Sequence, residues 1–175
     1  MILRQQQGLI GLQILISVPC QIAFTYVAFQ SGLFAGPVTD DLANRIGFAL
    51  QNQLFAILTL LAMIGFIAGA RPLASDVIDG NDQAERLAVQ VRIQRNTLEQ
   101  FLLLATAHLA LATTLPTSLL PILPVLVTLF ILARIIYWIG YSINPIYRTF
   151  GFVATFYPNI AALIWATTLV VQLRF

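Results

Sequence analysis

The sequence predicts an all-α integral membrane protein that crosses the bilayer five times. Mean hydropathy is +0.86, with 59% hydrophobic and 9% charged residues, far too little polar surface for a soluble domain of 175 residues. Five apolar runs approach the about 20 residues a helix needs to cross a bilayer. They are too continuous for barrel strands, and helices satisfy their own backbone inside lipid.

The first run, from about Gly8 to Phe29, is the most polar. Arg4 and the apolar stretch imitate a signal peptide, but Gln13, Pro19 and Gln21 interrupt it, so a retained span is expected. SGLFAGPVTDD, from Ser31, reads as a loop. The second run covers about Ile46 to Ala70 and carries no charge. RPLASDVIDGNDQAER, from Arg71 to Arg86, reads as a solvated connection. The third run starts polar near Val91 and ends near Thr114, followed by the uncharged turn TLPTSLLP. The fourth covers Leu120 to about Ile143, where Pro145 should end the helix. The fifth covers about Phe152 to Leu173.

The chain has nine basic residues, all arginine, and seven acids. With five spans, Arg4, Arg71, Arg86, Arg92, Arg95 and Arg148 share one side, and Arg45 and Arg174 the other. The positive-inside rule then places the N-terminus and the arginine-rich loops in the cytoplasm. A net charge of +2, scattered along the chain, does not suggest nucleic acid.

The third span opens with RIQRNTLEQF. On a helix Arg92, Asn96 and Glu99 share one face, with Gln94 turned away from them. An intramembrane carboxylate is costly unless paired, so Glu99 needs a partner. Either Arg95 pairs with it at i, i+4, or a ligand does. In the fourth span, ARIIYWIGY puts Arg134, Tyr137 and Tyr141 on one face, with Arg148 beyond Pro145. Aromatic residues near a bilayer surface also form interfacial belts. That reading suits Trp138 and competes for the two tyrosines. Guanidiniums suit carboxylates, Glu99 suits an ammonium, and Asn and Gln suit amides. A small zwitterionic peptide such as glutathione fits this set.

The pattern R-x-Q-x-N-x-x-E at Arg92, Gln94, Asn96 and Glu99, with ARIIYWIGY and Arg148 after it, resembles the MAPEG family (membrane-associated proteins in eicosanoid and glutathione metabolism). The resemblance covers roughly Ile46 to the C-terminus. It implies a four-helix MAPEG-like domain over residues 46–175, preceded by an extra N-terminal transmembrane helix and loop over 1–45. It also implies a homotrimer that binds glutathione between subunits near the cytoplasmic face. By resemblance to the microsomal glutathione transferases, Arg71, Arg92, Gln94, Asn96, Glu99, Tyr137 and Tyr141 bind glutathione. Arg148 would be catalytic, holding the thiolate that attacks a lipophilic electrophile arriving from the bilayer, in transferase or peroxidase chemistry. The alternative is a non-catalytic lipid-binding or scaffold protein of the same fold. Gln100 and Pro145 depart from the family pattern.

Other residues carry weaker signals. His108, mid-span and without metal-ligand neighbours, reads as an interhelical hydrogen-bonding residue, and no metal site is expected. Asp76, Asp79, Asp82 and Glu85 lack EF-hand spacing and read as a solvated loop. Cys20 reads as a buried thiol. A transporter or pore would spread polar groups through the depth of several spans, whereas here they gather at one end of two.

Overall fold

The computed structural model describes residues 2–73 and 85–174. Five helices follow one another: α1 (Ile2–Gln30), α2 (Leu42–Ala70), α3 (Glu85–Thr114), α4 (Ile122–Ile143) and α5 (Arg148–Arg174). Single 3₁₀ turns at Arg71–Leu73 and Thr117–Leu119 follow α2 and α3. No strand occurs among the described residues. At about 1.5 Å per residue, helices of 22 to 30 residues run roughly 33–45 Å, enough for a hydrocarbon core of about 30 Å.

Four helical segments are long and apolar enough to cross a membrane: Leu3–Gln30, Leu42–Ala70, Thr117–Ile143 and Arg148–Leu173. α3 is as long but more polar, because its first half carries Arg92, Arg95 and Glu99. It starts at Glu85, about a turn and a half before the apolar run, so Glu85 and Arg86 belong to a helix and not to the loop expected there. Hydropathy marks where a helix enters lipid, and a helix starts wherever its backbone can be satisfied. Asp76, Asp79 and Asp82 lie outside the described residues.

Hydrogen bonds set the helix directions. At one end the Trp138 indole of α4 donates to Gln90 of α3 at 3.0 Å, and Trp138 meets Phe66 of α2 edge-on. At the other end Arg45, near the start of α2, donates to the Leu115 carbonyl just past α3. So α3 runs antiparallel to α2 and α4, through the same depth. Gln13 of α1 reaches the start of α5, and Phe29 shares a groove with Trp165, so α1 and α5 run parallel. The starts of α1, α3 and α5 therefore share an end with the finishes of α2 and α4.

The core sits where α3, α4 and α5 meet, around Leu104, Leu111, Leu123, Phe130 and Ala162. α5 approaches α4 closely at Gly151, where an added Cβ would lie 2.5 Å from the Tyr137 nitrogen and 2.7 Å from the Ala133 carbonyl. The end of α4 falls at Ile143, ahead of Pro145 as expected, and the Asn144 N–H donates back to Gly140. α1 lies on the outside. Its Gln13 amide donates to the Ile146 carbonyl and accepts from the Phe150 N–H, both at 3.2 Å, and so caps α5. Ser17 donates to the Phe150 carbonyl at 3.1 Å. Cys20 is exposed on α1, which corrects the expectation of a buried thiol: α1 turns only a narrow polar stripe inward.

Asp41 caps α2 by accepting from the Asn44 N–H at 3.0 Å. The Thr39 hydroxyl, followed by the Asn44 side chain and backbone, holds the Asp41 carboxyl well below the usual carboxylate range.

Two outcomes follow. Gly151→Ala should lower stability by about 1–3 kcal/mol in detergent melting. Gly47→Ala, whose Cβ would meet nothing within 4 Å, should be neutral or slightly stabilising. Equal stability of the two variants would show that α4 and α5 do not need this approach. Asp41 has a depressed folded pKa, so its contribution is complete above about pH 3.9 and fades as pH falls toward the folded value. The melting difference between wild type and Asp41→Ala should hold constant down to about pH 4 and shrink below it. A difference independent of pH would rule out the charged cap.

Candidate functional site

The α3 start, α4 finish and α5 start bring the polar residues of α3 and α4 to one end of the bundle. Arg134 of α4 is 2% exposed. Its Nη1 donates to Asn96 Oδ1 of α3 at 2.9 Å, and its Nη2 donates to the Gly151 carbonyl and the Thr155 hydroxyl of α5. The guanidinium also lies 4.4 Å from the Tyr137 ring centroid. One side chain thus ties three helices together.

Tyr137 and Tyr141 pack edge to face, centroids 5.8 Å apart, and both are buried beside Met63 and Ile93. They line the interior, so neither is a belt residue. Arg148, the first residue of α5, places its guanidinium 4.7 Å from the Tyr141 ring centroid, despite the break at Pro145.

The α3 residues divide. Asn96 is half-buried against Arg134. Arg92 and Glu99 are exposed, and Gln94 is half-buried. Glu99 pairs with Arg95 at 3.4 Å, the i, i+4 pairing that the sequence left open, with both side chains largely exposed. Arg71 follows α2 at the same end, its backbone N–H donating to Ile67, and its side chain is exposed. Ile67 packs with Leu87 and Val91, which holds this turn against the start of α3.

Several polar residues escaped the sequence reading. Asn159 donates to the Gln100 side chain at 3.1 Å and its carbonyl at 3.0 Å, and Gln53 donates to the Ala105 carbonyl at 3.2 Å. Gln100 therefore joins α3 to α5. The Trp138 indole donates to Gln90, which also reaches Ser142 at 3.4 Å. His108 is wholly buried, and neither ring nitrogen has a hydrogen-bond partner among the described residues, contrary to the expected interhelical bond. No group of three or more potential metal ligands occurs among the described residues.

The arrangement combines a buried cation, two inward tyrosines and a second cation over a ring, beside an exposed acid–base pair. The sequence pattern of the MAPEG family matches residues 11–168. The chain belongs to the MAPEG family. The match begins within α1 and runs into α5. Among curated MAPEG-related proteins, the chain is 30% identical to mouse (Mus musculus) Transmembrane protein 79 over 156 residues. It is 28% identical to the bovine (Bos taurus) protein of that name over 155 residues. Each alignment covers 86% of this chain and 38% of the relative, so the chain spans about two fifths of their length. No solved structure matches it. It is thus an integral, multi-pass MAPEG protein.

Arg134→Lys keeps the charge but loses the planar fork that reaches Asn96, Gly151 and Thr155 together. It should cost about 2 kcal/mol in detergent melting. Unchanged stability would show that the guanidinium does not join α3, α4 and α5.

Proposed function

We propose that the chain is a membrane glutathione transferase of the MAPEG type, with all five helices crossing the bilayer and the N-terminus and site on the cytoplasmic side. Arg71, Arg92, Gln94, Asn96, Glu99, Tyr137 and Tyr141 bind glutathione between subunits of a homotrimer, and Arg148 holds its thiolate. The observation that carries this reading is the return of Arg148 across the Pro145 break to the Tyr141 ring, beside Tyr137. A cation there stabilises a sulfur anion and lowers a thiol pKa from its free value of about 8.5. The thiolate attacks a lipophilic electrophile that enters from the lipid, and the protein supplies position and charge stabilisation. With a peroxide as electrophile, the same thiolate would act as a peroxidase.

One observation favours a non-catalytic, lipid-binding reading. Asn96 and Glu99 already have partners within the chain, Arg134 and Arg95.

Calorimetry on the detergent-purified protein separates the two. Saturable glutathione binding should weaken about tenfold in Glu99→Gln. Arg148→Ala should lose the ultraviolet thiolate absorbance and on the order of a hundredfold in kcat toward a model aryl halide. Absence of binding at millimolar glutathione would sink the transferase and leave the lipid-binding reading.

A further inference from the structure

α1 carries a polar residue every fourth position: Gln13, Ser17, Gln21 and Thr25. That spacing keeps them on one face, turned toward α5. Gln13 and Ser17 find partners at the start of α5. Gln21 does not: it is 6% exposed, and its Oε1 is buried with no hydrogen-bond partner among the described residues. Beside it the helices part around a cavity of about 550 Å³. Gln21, Ile22 and Phe29 of α1, Leu126 of α4, and Ala161 and Trp165 of α5 line it. Small side chains at Ala161 and Ala162, beside Pro158, leave the space that α1 spans.

We propose that this groove binds a membrane lipophile with an apolar chain and a hydroxyl group, the hydroxyl bonded to the Gln21 amide. The volume falls within the roughly 300–1,000 Å³ usual for small-molecule sites, which are mostly apolar with a few placed polar groups. A buried amide oxygen without a partner is costly, and rotation of the Gln21 side chain about its last torsions turns that oxygen into the groove, where a donor satisfies it. A hydroxyl both donates and accepts, and so matches either end of the amide. Water is a poor occupant, since it needs two to four polar partners and the walls are largely apolar. The occupant comes from the bilayer, because α1, α4 and α5 all lie in segments long and apolar enough to cross one. The groove is not the glutathione site: its lining begins at Tyr157, about 13 Å along α5 from Arg148 at about 1.5 Å per residue. The inference therefore stands whether or not the chain binds glutathione.

The chain has two tryptophans, Trp138 and Trp165, so Trp138→Phe leaves Trp165 as a reporter inside the groove. In phosphatidylcholine proteoliposomes, dibrominated octadecanol should quench Trp165 saturably, and unbrominated octadecanol should compete. The dibrominated alkane without a hydroxyl should quench weakly and without saturation. Gln21→Leu should raise the half-saturating alcohol concentration about tenfold. Ala161→Phe should abolish saturable quenching, and Ile22→Phe closes the groove from α1 if the first variant fails to fold. Equal, unsaturable quenching by alcohol and alkane would overturn the proposal. So would no quenching by either, the result expected if a second copy of the chain covers the groove. Saturable quenching indifferent to Gln21→Leu would overturn hydroxyl recognition.

Discussion

The bundle depends on one buried cation. Arg134 lies where α3, α4 and α5 meet, and its partners are neutral: an amide oxygen, a backbone carbonyl, a hydroxyl and the Tyr137 and Phe130 ring faces. Burying a guanidinium costs several kcal/mol. Charge-assisted hydrogen bonds and cation–π contacts offset that cost only if all three helices hold register. Gly151 belongs to the same device, since any side chain there would push α5 away from α4 and its carbonyl away from Arg134. The tyrosines inherit their inward direction from this junction, and Arg148 meets Tyr141 because α5 starts where the junction places it.

α1 is attached differently. It buries little, and its hold on the bundle comes from the Gln13 and Ser17 bonds to the start of α5. In lipid, apolar surface supplies no force between helices, so packing and polar contacts must do it. Beyond Ser17 no hydrogen bond from α1 to another helix is found among the described residues, and there the groove opens.

The five helices were legible because hydropathy is a local property, summed over about 20 neighbouring residues. That Arg134, Tyr137 and Tyr141 share one face was legible for a similar reason, since helical spacing alone puts them together; that the face turns inward was not. Partners were not legible. Gln13 and Phe150, Gln90 and Trp138, and Gln100 and Asn159 are far apart in sequence, and a lone polar residue in an apolar run looks the same whatever it meets. Gln13 and Gln21 stood out only as interruptions, yet one caps α5 and the other lines the groove. The early start of α3 was not legible, because a run of charge resembles a loop although a helix in water tolerates it. His108 shows the opposite limit, a polar residue for which the expected partner is not found.

Magnitudes divide the proposed clamp into two kinds of residue. The Arg95–Glu99 pair is largely exposed, and such pairs are worth about 0–1 kcal/mol. Opening it to let Glu99 meet a ligand ammonium costs little. The Arg134–Asn96 bond is charge-assisted and partly buried, and breaking it would strand part of a buried cation. A ligand that needed the Asn96 oxygen would have to outbid the junction that holds three helices. Asn96 therefore positions Arg134, and through it Tyr137, with its oxygen, and meets the proposed peptide only through its amide N–H groups. Arg92 is exposed, and Glu99 is held only by the exposed Arg95 pair.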